Sequence, residues 1–173
     1  MNQPSPCSHP RNRLFSALRG RPQAVATIAG SKSYPDLSGI VRFYQTNEGV
    51  VVCAEISGLP QGNPPCQGQF FGFHIHTGAA CSGNMDGPFS DAMSHYNPSG
   101  CEHPYHAGDL PPLFGSGGIA LCAFLTNRFS VGEVIGRTVI IHDHPDDFTT
   151  QPSGGSGTKI ACGVIQRTAG SCG

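Results

Sequence analysis

The chain has 173 residues, 38% of them hydrophobic and only 12% charged, which suits one soluble domain with a sizeable core. A formal net charge of -1 excludes a whole-molecule pull toward nucleic acid or an anionic membrane, and no apolar run reaches the roughly 20 residues of a membrane span. Eight Cys are many for a fully reduced protein, so disulfides are expected, with thiol metal sites or buried free thiols as the other readings.

Residues 1–23 are rich in Pro, Arg, Asn and Ser without periodicity and read as a flexible leader. Their apolar patch, Leu14, Phe15, Ala17 and Leu18, is shorter than the roughly 7–15 residues of a secretory core. Cytoplasmic is therefore the default compartment, with a secreted or cell-surface location as the alternative. From Ala24 a folded domain over 24–173 is expected. Its short β-type runs are AVATI (24–28), GIVRFYQ (39–45), VVVCAEI (50–56), FFGFHIH (70–76), GIALCAFL (118–125), TVIIH (138–142) and KIACGVI (159–165). With 24 Gly, 15 Pro and little helical periodicity, these runs predict an all-β sandwich or flattened eight-stranded barrel. Two Gly/Pro-rich stretches, 77–117 and 143–158, exceed the length of ordinary connections and read as functional loops.

In FFGFHIH, strand alternation sends His74 and His76 to one face and Phe73 and Ile75 to the other. Two buried imidazoles side by side are costly unless something binds them, and a metal resolves that cost, although an HxH pair alone also fits an exposed surface. The first loop adds His95, His103, His106 and Asp109, enough for one closed tetrahedral site. Such N and O donors suit zinc, a histidine-only set also suits copper, and a polar loop that happens to contain His is the bland alternative. His142 ends TVIIH opposite the face of Val139 and Ile141, where it can join His74 and His76. His144 shares that parity, but Pro145 interrupts the strand and His144 reads as a non-ligand.

The ordered motifs GFHIH, HYNP, HPYHAGDL, GRTVIIH followed by a DD pair, and KIACGVI resemble the copper/zinc superoxide dismutases across about residues 24–166. The resemblance implies a Greek-key β fold that binds one copper and one zinc and converts superoxide to oxygen and hydrogen peroxide. It assigns His74, His76, His95 and His142 to copper, and His95, His103, His106 and Asp109 to zinc, with His95 bridging and donating a proton. It makes Asp146, rather than Asp147, the carboxylate that links a copper-ligand His to a zinc-ligand His. It pairs Cys81 with Cys162 and assigns Arg137 to bracing that disulfide loop. Cys66 and Cys101 are a second candidate pair, Cys53 and Cys122 read as buried thiols in strands, and Cys7 and Cys172 stay unassigned.

Three features depart from the family pattern. Lys159 stands where Arg is usual, which keeps the charge that draws the anion and loses the planar fork that orients it. Only two residues separate His103 from His106, and the 143–158 loop is short. A superoxide-dismutase-like module that carries copper without catalysis is the alternative function, and a structural zinc β-sandwich a third. Homodimer formation stays open.

Overall fold

The computed structural model describes residues 17–63, 69–84 and 87–169. Nine strands run through it: β1 (Ala24–Gly30), β2 (Ser38–Gln45), β3 (Val50–Ser57), β4 (Gln69–Phe71), β5 (Phe73–His76), β6 (Leu113–Gly115), β7 (Ile119–Thr126), β8 (Thr138–His142) and β9 (Lys159–Arg167). A short helix, α1 (Val131–Val134), precedes β8. Among the described residues no helix is long and apolar enough to cross a membrane.

Seven strands form one antiparallel sheet in the order β5-β8-β9-β1-β2-β3-β7, and β4 pairs with β6 separately. Because β4 runs into β5 and β6 turns into β7, the β4–β6 ladder brings the two edges of the curled sheet together. The fold is the all-β Greek-key barrel that the sequence predicts.

Alternation sets the core. In β1, Ala24, Ala26 and Ile28 point inward, and Val41 and Phe43 of β2 join Val50, Val52, Ala54 and Ile56 of β3. Fully burying a Phe or Ile contributes roughly 1.5–3 kcal/mol, and Phe43, Phe71, Phe73, Ile75 and Ile141 are all fully buried. Phe73 and Ile75 therefore anchor the strand whose intervening residues are His74 and His76.

The strand count differs from the seven or eight expected. FFGFHIH breaks at Gly72, whose N–H donates to the His144 carbonyl while its own carbonyl accepts from the His142 N–H. A side chain at Gly72 would also press on Ser156. The strand β6 lies inside the first long loop, where its three residues are too few for a visible period. Helix α1 begins with a capping box in which Ser130 and Glu133 satisfy each other's backbone N–H groups.

Candidate metal centre

Three backbone-paired segments build the centre. Residues 95–96 and 108–109 of the first loop lie against β5: Ile75 N–H donates to the Gly108 carbonyl, and Tyr96 N–H to the Ile75 carbonyl. Isolated bridges pair His74 with Asp109 and His76 with His95. Gly108 permits this approach, since a Cβ there would stand 2.2 Å from the Ile75 oxygen. On the other side, β8 pairs with β5 and brings His142 to the same place.

The result is two groups of donors that share His95: His74, His76, His95 and His142, then His95, His103, His106 and Asp109. Within each group the ligand atoms lie within 4.8 Å of one another, and all seven residues are buried. His74 lies 4.0 Å from His95 between ring centroids, and His76 lies 4.8 Å from it.

Hydrogen bonds fix which ring nitrogens face inward. His76 Nδ1 donates to the Met93 carbonyl at 2.8 Å and His142 Nδ1 to the Gly157 carbonyl at 3.3 Å. Carbonyls only accept, so the protons sit on Nδ1 and both Nε2 atoms carry lone pairs. Those two Nε2 atoms are 3.3 Å apart, an arrangement that repels unless a cation lies between them. His74 Nε2 donates to Asp146 at 2.8 Å and His103 Nε2 to the other Asp146 oxygen at 2.8 Å. That leaves His74 Nδ1 and His103 Nδ1 buried without a hydrogen-bond partner, as are His95 Nε2 and His106 Nδ1. Buried ring nitrogens without a hydrogen-bond partner, converging on two points, are the mark of metal sites, and Asp109 Oδ2 stands 3.1 Å from His103 Nδ1 and 3.2 Å from His106 Nδ1, as donors grouped around one ion would. Three imidazoles and a carboxylate match a closed zinc site, and four imidazoles match copper.

Electrostatics agree. Burial, reinforced by His95 and His142, pushes His76 well below the usual imidazole range, and burial beside His74 lowers His142 to about 3. Neutral imidazole is the form that ligates a metal. Burial by itself would raise the Asp146 pKa, but the hydrogen bonds from His74, the Phe148 N–H and His103 outweigh it and hold the carboxyl at about 2. Asp109 is likewise lowered, its burial outweighed by His95, whose Nδ1 lies 2.7 Å away, and by His103 and His106. Gly154, at φ +69, packs so closely that a Cβ would stand 2.0 Å from the Asp146 carboxylate.

An open pocket leads to the centre, lined by His76, His95 and His142 together with Met93, Ser153 and Lys159. Lys159 begins β9 and is half-buried; its Nζ donates to the carbonyls of Met93 at 2.7 Å and Phe89 at 3.2 Å. Burial lowers its pKa. The Met93 carbonyl thus serves both His76 and Lys159, held by a left-handed backbone at φ 64 that no sequence pattern announces.

Cys81 and Cys162 form a disulfide with Cα atoms 5.6 Å apart, tying the first loop to β9. Arg137 donates to the Thr77 carbonyl at the start of that loop, and its guanidinium stacks 4.0 Å from the Tyr96 ring. His144 is 67% exposed and bonds Asp143, and Asp147 binds Thr149 and Thr150, so neither joins the centre. The suggested Cys66–Cys101 bridge involves Cys66, outside the described residues, as are Cys7 and Cys172; Cys101 is exposed. Cys53 and Cys122 are half-buried rather than buried: alternation puts Cys53 on the outer face of β3 with exposed Glu55, while Cys122 packs toward the core from the edge strand β7. Burial raises both thiols, Cys122 to about 11, which keeps them protonated.

The fold and site define a β-barrel metalloprotein with two histidine-rich compartments that share one imidazole. The family model of copper/zinc superoxide dismutase (SODC) matches residues 37–165, and the chain belongs to that family. It is 34% identical over 161 residues to Superoxide dismutase [Cu-Zn] of Legionella pneumophila, covering 88% of this chain and 93% of the relative. It is 36% identical over 159 residues to Superoxide dismutase [Cu-Zn] A of Xenopus laevis, covering 83% and 96%. A third relative, Superoxide dismutase [Cu-Zn] 2 of Aquifex aeolicus, is 32% identical over 146 residues, covering 76% and 80%.

Proposed function

We propose that the protein is an antioxidant enzyme that dismutes superoxide, holding copper on His74, His76, His95 and His142 and zinc on His95, His103, His106 and Asp109. The observation that carries this reading is the set of orphaned buried nitrogens converging in two groups around His95. Copper, when bound, supplies the one-electron chemistry that turns one superoxide into oxygen and a second into hydrogen peroxide, a chemistry zinc lacks.

The chain's own residues do the rest. Asp146 orients His74 and His103 together, so the two compartments are set by one carboxylate. His95 faces one compartment with Nε2 and the other with Nδ1, and Nε2 is the atom that holds a proton for the departing peroxide. Lys159, among the described residues the one Lys or Arg lining the pocket, draws the substrate anion toward it. Both ligand groups are complete, which supports an enzyme over a silent copper-transfer module or a structural zinc domain. We assign the catalytic domain to 24–173 and the leader to 1–23. Self-association as a homodimer belongs to the same reading, supported by the exposed Ile119, Leu121 and Leu125 along β7, and sedimentation reads it directly.

Metal analysis with a superoxide-decay assay tests the function. One copper and one zinc per chain with rapid decay are expected; zinc alone, or labile copper without decay, contradicts it. Lys159→Ala is expected to slow the reaction about tenfold at low salt and to flatten its dependence on ionic strength. Rates and salt slopes equal to wild type would remove Lys159 from substrate guidance.

A further inference from the structure

The zinc-ligand segment, 103–109, contains no helix or strand; apart from Gly108, whose peptide groups pair with Ile75 and Tyr96, its backbone makes only turns such as Tyr105 N–H to the Glu102 carbonyl and Asp109 N–H to the His106 carbonyl. Three of its seven residues must nonetheless aim donors at one point. Two side chains from elsewhere grip its peptide groups.

Gln151, in the 143–158 loop, makes a two-way pair with the His103 backbone. Its Oε1 accepts from the His103 N–H at 3.0 Å, and its Nε2 donates to the His103 carbonyl at 2.7 Å. Arg128, between β7 and α1, takes the remaining length: its Nη1 donates to the carbonyls of Pro104 at 2.9 Å, His106 at 3.2 Å and Asp109 at 3.2 Å. Arg128 is itself seated on the barrel, with its N–H on Thr126 Oγ1 and buried Phe129 next in the chain. All three contacts fall on one nitrogen with two N–H groups, so one N–H is shared between carbonyls, and the planar guanidinium fixes the place of that nitrogen more rigidly than a flexible ammonium stem would.

We infer that Arg128 and Gln151 are positioning residues that hold the segment 103–109 in its ligating shape before zinc arrives, and so set the affinity for zinc. They touch backbone atoms of the ligand residues, not the donor atoms, so they act by preorganisation. The inference rests on zinc binding at His95, His103, His106 and Asp109 as proposed above.

The test uses the metal-stripped full chain in competition with a chelator of known zinc affinity, and cobalt(II) as a visible-absorption probe of the same ligands. Arg128→Gln and Gln151→Ala should each weaken zinc binding about tenfold and alter the cobalt band. Copper uptake by the four-histidine group should stay within twofold of wild type, and Arg128→Lys should recover only part of the loss. Zinc affinity within twofold of wild type in both variants overturns the inference. So does an equal loss of copper and zinc that tracks a lower melting temperature of the metal-free chain. Wild-type protein that binds no zinc would instead contradict the functional reading on which the inference rests.

Discussion

Replacing Cys81 and Cys162 together by Ser is expected to cost the metal-free protein about 4.5 kcal/mol, because the bridge closes a loop between residues 81 apart in sequence. Natural domains are stable by only about 5–15 kcal/mol, so this is a large share of the total. For a chain of this size it corresponds to a melting temperature lower by roughly 10–18 °C. The loss should also reach the pocket. Cys81, Cys162, Phe89, Ala92 and Ile140 form a small apolar cluster of their own, and the Phe89 and Met93 carbonyls that hold Lys159 lie on the tethered loop. The double variant should therefore melt earlier and lose part of its salt-dependent rate. Thermal scans of metal-free protein that agree within about 2 °C would show that packing, not the crosslink, holds the loop.

Acidification from pH 7.5 to 5 should destabilise the metal-free protein strongly. In the unfolded chain His142 titrates near 6.5, while in the fold burial beside His74 lowers it to about 3. Between those values the unfolded state binds a proton that the folded state refuses, so stability rises with pH. The contribution is complete above about pH 6.5 and is lost progressively down to about 3. At pH 5 His142 alone removes about 2 kcal/mol, and His74 and His76, both lowered mainly by burial, act in the same direction. Asp146 adds a later loss: held at about 2, it stabilises above the ordinary carboxylate range and gives way as pH falls through 3.8 toward 2. Metal competes with protons for the same nitrogens, so the loaded protein should resist until acid displaces the ions. Urea midpoints of metal-free protein that do not change between pH 7.5 and 5 would mean that these imidazoles are not held neutral by the fold.

The donor atoms were legible in the sequence because their chemistry is local to residue type. Alternation alone puts His74 and His76 on one side of a strand anchored by Phe73 and Ile75, and a three-histidine loop with Asp109 has few other uses. Asp146 and Arg137 came with the resemblance, but the remaining supports were not legible, for a physical reason: they act through backbone atoms. Met93 contributes a carbonyl, Gln151 and Arg128 grip carbonyls, and any residue type offers one. Gly72 looked like an interior strand residue and proved to be a break, since its peptide groups pair with 142 and 144 instead of continuing the ladder. The helix α1 did carry a local signal, the Ser130 and Glu133 spacing of a capping box, but its four residues are too short to show a period.

If one imidazole, His95, joins the two compartments and moves the proton, the His95→Ala variant should show it when metal content and superoxide decay are measured on the same sample. Occupancy of both sites should be disturbed and the rate lower by on the order of 100-fold or more, the scale of a lost proton-transfer group. A variant that keeps one copper, one zinc and the wild-type rate would contradict this role.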